Sequence, residues 1–259
     1  MAWYNREDAE ILNFMVIGNR HSGYGLLQSS LAAHPDIVCH GDLLHDDDKV
    51  RKVEHSMYFG ATGKIIDHFD PTHLSVEQYF NNKIFDNILH GEKAVGVKVN
   101  YEHLRHYDLW DYTDQRCRRG DFCLVHVVRN PIACYVAWKQ QQQQRDGSAE
   151  IGSSVRLPAV CIEPAELTQF VRDHTAVMSK VNRLCPDRAV IPYHELLLDF
   201  RGVLENLLEF LELKFSPACL PNQKRVQRRD VRSRVMNWTE LKSAVPHDVL
   251  EYMDSTTLF

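Results

Sequence analysis

Short apolar runs alternate with longer amphipathic stretches along most of the chain. The runs contain branched residues and end at polar or turn-forming residues, which is typical of buried strands. The predicted strands are 13–18, 37–39, 94–99, 122–128 and 189–193. The predicted helices, with apolar residues at helical spacing, are 23–33, 76–89, 131–145, 165–184 and 200–213. This alternation predicts an α/β fold, a single domain over 1–259 with a central, mostly parallel sheet flanked by helices.

Three polar regions interrupt the pattern. Residues 45–75 are weakly periodic and predict a loop, and residues 146–165 carry Gly, Ser and Pro and predict a loop or lid. Residues 214–259 are expected to form a basic closing segment and a helix. Because ligands of parallel sheets bind at the carboxyl ends of the strands, the loops after the strands are the first place to look for a site.

Composition excludes several functional classes. The 259 residues are 44% hydrophobic and 25% charged, with a net charge of −5, which disfavours a disordered chain, a membrane protein and a general nucleic-acid binder. Seven cysteines with no CxxC pair disfavour a disulfide framework or zinc site, and the 14 histidines form no HxH or HxxxH pair. The first apolar run, 14–17, is too short for a signal peptide, so a cytoplasmic setting is expected.

The segment after the first predicted strand has the glycine spacing of a phosphate-binding loop. Gly18 and Gly23 bracket it as GxxxxG, and a helix is predicted to start there. Backbone N–H groups and a helix N-terminus can hold a phosphate in such a loop. Tyr24 and Gly25 stand where Walker A has its lysine and its hydroxyl, so a magnesium-dependent kinase is disfavoured. A plain glycine-rich turn is the structural alternative.

This loop resembles the first signature of the sulfotransferase family, which uses 3′-phosphoadenosine 5′-phosphosulfate (PAPS). Ser22, Gly23, Leu26 and Leu27 match that signature, with His21 at the position of the family's basic residue. Further on, Arg129-Asn130-Pro131 resembles the family's second signature, although Ala137 replaces a serine that usually contacts the 3′-phosphate. Lys139 or the C-terminal arginines could replace that contact.

Two later segments extend the resemblance. Residues 191–196 look like the family's Tyr-Glu-Asp-Leu turn, with Tyr193 as the tyrosine near the adenine, and 232–238 resembles a segment near the end of bacterial members. The resemblance implies a P-loop-like sulfotransferase fold. It also implies transfer of a sulfuryl group from PAPS to a hydroxyl or amine of a small molecule, with no metal required and 3′-phosphoadenosine 5′-phosphate (PAP) as product.

The resemblance also assigns candidate residues. Those expected to bind the cofactor are Arg20, His21, Ser22, Gly23, Tyr24, Gly25, Arg129, Tyr193, Lys224 and Arg225. Within this set, Arg129 would hold the 3′-phosphate through two parallel hydrogen bonds. His21 would stabilise the departing phosphate as an imidazolium, and Arg20 is the alternative for that role.

The catalytic base has several candidates. Asp42 follows the second predicted strand, where related bacterial enzymes carry an acid, and a carboxylate beside an acceptor hydroxyl can act as general base. His103 competes with it, because cytosolic relatives use a histidine after a comparable strand. His40 and His45 are further alternatives, and a structural role is the alternative for each histidine.

Charge is unevenly distributed along the chain. Basic residues gather between 224 and 234, where they are expected to close over the 3′-phosphate rather than to bind nucleic acid. Asp46, Asp47 and Asp48 form an acidic patch that would favour a cationic acceptor, such as a guanidinium natural product of the saxitoxin type. A P-loop-like kinase and a non-enzymatic phosphonucleotide-binding or nucleic-acid-binding protein are the alternative functions.

Overall fold

A central parallel sheet organises the computed structural model of the chain. The model describes residues 11–41, 43–44, 69, 74–85, 91–120, 122–146, 159–185, 188–221 and 230–255. The strands are β1 (Leu12–Gly18), β2 (Ile37–His40), β3 (Ala94–Asn100), β4 (Phe122–Val128) and β5 (Arg188–Pro192). They lie in the order β2-β3-β1-β4-β5, and every neighbouring pair is parallel. The predicted strands and parallel sheet are confirmed, with ends shifted by at most a residue or two.

Helices cover both faces of the sheet. They are α1 (Tyr24–Ala32), α2 (Val76–Tyr79), α3 (Tyr101–His106), α4 (Trp110–Arg119), α5 (Pro131–Asp146), α6 (Pro164–Leu184), α7 (Tyr193–Leu198), α8 (Phe200–Phe210), α9 (Trp238–Ala244) and α10 (His247–Ser255). In the described part of the chain, none of these helices has the length and apolar character needed to cross a membrane.

Strand β1 shows how the sheet separates two cores. Met15 and Ile17 point into a cluster shared with β3, α4 and α6, whereas Phe14 and Val16 point into a cluster shared with α1 and α8. Since side chains of a strand alternate between faces, both faces of β1 are buried, as its continuous apolar pattern predicts. Residues from α5, α6, α9 and α10 form a further cluster beside the sheet.

The helix predicted over 76–89 is only partly correct. An α-helical turn starts after Ser75, whose hydroxyl accepts from the Gln78 N–H in a capping box, and π-helix follows over Phe80–Phe85. Helices α3, α4 and α7 were not predicted. In α3, the Asn100 side chain caps the helix by accepting from the His103 N–H at 2.8 Å.

The helix predicted over 200–213 ends early. Glu212 has a φ of 57°, in the left-handed region, and the Leu213 N–H donates to the Leu208 carbonyl. That turn closes α8 at Phe210.

The polar regions are described in part. In the predicted lid 146–165, Val160 pairs with Val235 in an isolated parallel bridge, while 147–158 lie outside the described residues. Most of 45–75, including the acidic patch at 46–48, also lies outside them, as do 222–229 of the basic segment. The C-terminal segment contains two helices, α9 and α10, rather than one.

Candidate active site

The predicted phosphate loop lies at the carboxyl end of β1 and leads directly into α1. His21 and Gly23 have φ values of 63° and 92°, so the backbone turns sharply before the helix. A Cβ on Gly23 would lie 2.5 Å from the ring of Tyr193. Glycine is therefore required here twice, by its left-handed conformation and by the close approach of Tyr193.

A buried hydroxyl lies inside this loop. Ser22 is fully buried, and its N–H donates to the Asn19 carbonyl at 3.1 Å. Its Oγ has no hydrogen-bond partner among the described residues. Because buried hydroxyls are rarely left unpaired in native proteins, this atom fits the oxygen of a bound ligand.

Arg129 joins the loop to the neighbouring strands. It follows β4, and its Nη1 donates to the His21 carbonyl. The guanidinium carbon lies 4.1 Å from the centroid of the Tyr193 ring, a stacked cation–π arrangement that pre-orients the planar group. The Nε atom has no hydrogen-bond partner among the described residues, so the guanidinium retains donor capacity.

A cavity of about 240 Å³ opens beside this arginine at the carboxyl ends of β4 and β5, and we refer to it as the Arg129 pocket. Its lining residues are Val128, Arg129, Asn130, Pro131, Met178, Pro192, Tyr193, His194, Tyr252 and Ser255. The two residues assigned to the 3′-phosphate and the adenine, Arg129 and Tyr193, therefore lie in one pocket. The residues present fit an anionic group attached to a planar ring.

Asn130 builds the wall of the Arg129 pocket. Its Oδ1 accepts from the Ile132 N–H at 2.9 Å and so caps α5. Its Nδ2 donates to the Tyr252 carbonyl at 2.8 Å, which ties α10 to the start of α5. The C-terminal helix is thereby part of the pocket, a role that local sequence did not reveal.

A second cavity, of about 140 Å³, lies at the carboxyl ends of β1 and β3, and we refer to it as the His174 cavity. Its lining residues are Asn19, Tyr101, Glu102, Arg105, Phe170, Asp173, His174 and Val177. Asn19 belongs to the phosphate loop, and its Nδ2 lies 2.6 Å from the Nδ1 of His174. Sequence reasoning missed this site because α6 gave only an apolar helical stripe.

A buried polar chain underlies the His174 cavity. The Tyr101 hydroxyl lies 2.6 Å from the Nε2 of His126, whose Nδ1 lies 3.0 Å from the Oδ1 of Asn182. Burial lowers the pKa of His126 to about 4, with a smaller opposing contribution from the Asn182 hydrogen bond. Burial also lowers the pKa of His174 to about 4, and the nearby His126 adds to the effect. Both imidazoles are therefore neutral near pH 7.

A lysine that the sequence analysis left without a role lies beside the loop. Lys98 is a buried residue of β3, and its Nζ lies 5.1 Å from the centroid of the Tyr24 ring. The same atom would lie 4.0 Å from a Cβ placed on Gly25. A positive charge thus stands beside the first turn of α1. A lysine inside an otherwise apolar strand was the available sequence signal.

The two basic residues of the loop have different surroundings. Arg20 forms an ion pair with Glu102 at 2.9 Å, at the rim of the His174 cavity. His21 is half-buried and presents its carbonyl to Arg129. Arg20 is thus connected to the cavity side, and His21 to the Arg129 pocket.

The candidate bases are only partly described. His103 is buried, with its Nε2 3.2 Å from the Nδ2 of Asn100, and it lines neither cavity. His40 ends β2 and is half-buried. Asp42 and His45 lie outside the described residues, as do Lys224 and Arg225, so their assignments stay predictions.

The proposed replacements for the missing serine contact have other partners. Lys139 lies 2.6 Å from Glu166 on α6, and Arg234 donates from its Nε to the Oε1 of Gln140 at 2.9 Å. Those contacts tie α5 to α6 and to the C-terminal segment. Among the described residues, no group of three or more His, Cys, Asp or Glu side chains is placed to hold a metal ion.

Comparison with known proteins identifies the family. A model described as "Sulfotransferase family" matches residues 13–217, which is well over half of the chain. The chain belongs to the sulfotransferase family. The resemblance drawn from its motifs is therefore confirmed at the level of the family.

Solved sulfotransferases have a similar fold. The sulfotransferase domain from the curacin biosynthetic pathway is 14% identical, with a TM-score of 0.50 over 96% of this chain and 98% of that one. The sulfotransferase from Alicyclobacillus acidocaldarius is 17% identical, with a TM-score of 0.49 and 95% of each chain covered.

Mouse sulfotransferase SULT7A1 complexed with PAP is 14% identical, with a TM-score of 0.42 over 96% of this chain and 84% of that one. The comparison of this chain with curated proteins found no match.

Proposed function

We propose that this member of the sulfotransferase family transfers a sulfuryl group from PAPS to a hydroxyl or amine of a small-molecule acceptor. The observation that carries the proposal is the Arg129 pocket, where the guanidinium of Arg129 stacks on Tyr193 and its Nη1 is hydrogen-bonded to the phosphate loop. PAPS would supply an activated sulfuryl group and a phosphate leaving group.

Nucleotide binding divides among four parts of the chain. Arg129 would hold the 3′-phosphate, since a guanidinium matches phosphate geometry with two parallel hydrogen bonds. Tyr193 would stack on the adenine. The backbone from Arg20 to Gly25, with the Ser22 hydroxyl, would hold the 5′-phosphate at the N-terminus of α1, whose dipole favours an anion. Lys224 and Arg225 would add charge to the 3′-phosphate.

Transfer of the sulfuryl group depends on positioning and on stabilisation of negative charge, as in phosphoryl transfer. His21 would donate a hydrogen bond to the leaving oxygen, with Arg20 as the alternative. The buried Lys98 beside α1 adds a positive charge that lowers the electrostatic cost of holding anionic oxygens there.

The acceptor must lose a proton as it is sulfated. Asp42, after β2, is the proposed base, and His103 and the neighbouring His40 and His45 are the alternatives. The acidic segment 46–48 favours a cationic natural product as acceptor through charge complementarity. We propose a role in natural-product biosynthesis in the cytoplasm.

Thermal unfolding in the presence of PAP tests the proposal. PAP at 100 times its Kd should stabilise the folded protein by about 2.7 kcal/mol, seen as a rise in Tm. Adenosine 5′-monophosphate, which lacks the 3′-phosphate, should stabilise it much less. Magnesium-ATP is the control for kinase chemistry and should have no comparable effect. Absence of any PAP-dependent shift would contradict the assignment.

A pair of loop variants then tests the role of His21. In a PAP-formation assay with PAPS and simple phenols, His21→Ala should lower kcat by about 100-fold, the scale of removing one transition-state donor. Arg20→Gln should change it by less than tenfold. If Arg20→Gln lowers kcat more than His21→Ala does, Arg20 is the residue that stabilises the leaving oxygen.

A further inference from the structure

The His174 cavity and the Arg129 pocket lie on opposite sides of the phosphate loop. Asn19 lines the cavity, two positions before His21, whose carbonyl accepts from Arg129. The cavity is at the ends of β1 and β3, and the pocket is at the ends of β4 and β5. Both spaces therefore adjoin the loop that is proposed to hold the 5′-phosphate.

The tautomer of His174 follows from its neighbour. The side-chain nitrogen of Asn19 can only donate, so the Nδ1 of His174 accepts at 2.6 Å. Burial keeps this imidazole neutral near pH 7 by lowering its pKa to about 4. A neutral ring with an accepting Nδ1 carries its proton on Nε2.

The proton on Nε2 has no acceptor among the described residues, although His174 is only 5% exposed. The Tyr101 ring lies against it, with centroids 5.3 Å apart and an interplanar angle of 76°. The Tyr101 hydroxyl is committed elsewhere, because the Nδ1 of His126 must donate to the Asn182 oxygen, which leaves Nε2 to accept from Tyr101. His174 thus carries an unpaired donor, itself almost fully buried, in the wall of the cavity.

The walls of the cavity limit the size and polarity of its ligand. Phe170 and Val177, one turn before and one turn after His174, supply apolar surface. Exposed Glu102, Arg105 and Asp173 form a charged rim. The volume of about 140 Å³ is close to the roughly 150 Å³ of engineered cavities that accept benzene.

We propose that the His174 cavity binds the acceptor, and that it takes a single-ring group whose carbonyl oxygen accepts a hydrogen bond from the Nε2–H of His174. That the ligand is the acceptor rests on the proposed sulfuryl transfer. That the cavity binds a ligand rests on the cavity itself. His174 would position the acceptor and would not remove its proton, because its only proton acceptor, Nδ1, is bonded to Asn19.

Binding can be measured without turnover. In protein labelled with ¹⁵N-histidine, the Nε2 resonance of His174 should show a protonated nitrogen and should shift saturably with 4-hydroxybenzamide as probe. 4-Methylphenol, which has the ring but no carbonyl, should bind about tenfold more weakly, the scale of one hydrogen bond. 6-Hydroxy-2-naphthamide, with two rings, should give no saturable shift.

Two variants test the site from different sides. Val177→Phe should fill the cavity and abolish probe binding while the Asn19–His174 hydrogen bond remains. Val190→Phe is the matched control, because Val190 is 44% exposed on β5, and it should bind the probe like wild type. His174→Phe should weaken 4-hydroxybenzamide by about tenfold and leave 4-methylphenol unchanged.

The outcomes separate this inference from the proposed function. A PAP-induced rise in Tm with no response of His174 to 4-hydroxybenzamide at millimolar concentration would overturn the cavity inference alone. Binding of the probe to the Val177→Phe variant with wild-type affinity would also overturn the cavity inference alone. Probe binding without any effect of PAP on Tm would leave a small-molecule site and overturn sulfuryl transfer.

Discussion

The Arg129 pocket and the His174 cavity both adjoin the phosphate loop but differ in the charge of the group that they present. The pocket presents a guanidinium held over an aromatic ring, whereas the cavity presents a buried imidazole that is neutral near pH 7. A permanent positive charge is suited to binding an anionic nucleotide, because the phosphate would form a strong ion pair with it. At a buried position such as that of His174, a neutral donor avoids the cost of burying an unpaired charge.

The loop lets both arrangements exist side by side. Its backbone receives Arg129 on one side, and its Asn19 side chain orients His174 on the other. A substitution in the Arg129 pocket should therefore leave ligand binding in the His174 cavity measurable, and the reverse should also hold. The variants below use this separation.

Arg129→Ala should have the largest effect. Losing two charge-assisted hydrogen bonds to a phosphate costs roughly 3–6 kcal/mol, so PAP affinity should fall at least 100-fold. Isothermal titration calorimetry measures the change, and Arg129→Lys, which keeps the charge but not the paired geometry, should be intermediate. Unchanged PAP affinity in Arg129→Ala would remove Arg129 from the nucleotide site.

Gly23→Ala should follow, at about 3 kcal/mol of lost unfolding free energy. A left-handed alanine costs about 1 kcal/mol or more, and its Cβ would meet the Tyr193 ring at 2.5 Å. Gly120→Ala is the matched control, because Gly120 also has a positive φ of 76° but no atom within 4 Å of a new Cβ. Urea denaturation should show a clearly smaller loss in the control, and equal losses would contradict close packing of Tyr193 on the loop.

Lowering the pH should destabilise the cavity side. His126 and His174 have pKa values of about 4 when folded and an unperturbed value of about 6.5, so the unfolded chain binds more protons between these limits. Their contribution is complete above pH 6.5 and is lost as the pH falls toward 4. From pH 7 to pH 5 the loss should be about 2 kcal/mol for each histidine.

Denaturant unfolding at several pH values measures this slope. A His126→Gln/His174→Gln variant should have a flatter stability profile over that range, since glutamine does not titrate. His247→Gln, at a position where the side chain is 85% exposed, is the control and should retain the wild-type slope. A double variant with the full wild-type slope would show that these imidazoles do not carry it.

Arg20→Gln should have the smallest effect on stability. Its ion pair with Glu102 is partly exposed, with side chains 36% and 64% accessible, and ion pairs near the surface contribute less than about 1 kcal/mol. Urea denaturation and PAP affinity should both stay close to wild type. A loss of several kcal/mol would mean that Arg20 supports the loop shared by the two cavities.

Much of the Arg129 pocket could be predicted from local sequence. Arg129 and Tyr193 each follow a strand, and parallel strands bring their carboxyl ends to one edge of a sheet. The glycine at position 23 and the cap at Asn130 are local signals with local causes. The contribution of α10 to the pocket was not predictable, because it depends on one hydrogen bond between residues distant in sequence, Asn130 and Tyr252.

The cavity side was missed for a related reason. His174 lies on the buried face of a long amphipathic helix, where a histidine gives no local sign of its partner. Lys98 was visible as a charge inside an apolar strand, but its place beside α1 depends on the neighbouring strand β1. Helices α3 and α4 were overlooked since they are short and polar on their exposed faces.

By itself, the sequence determined the strand–helix alternation, the glycine loop, the family and the residues that end each strand. These depend on periodicity and spacing, which act over a few turns of chain. Only the tertiary structure decided that Asn19 orients His174, that Arg129 stacks on Tyr193 and that two cavities flank one loop. Such contacts join elements far apart in sequence, and they form only where packing of the sheet and helices brings the side chains together.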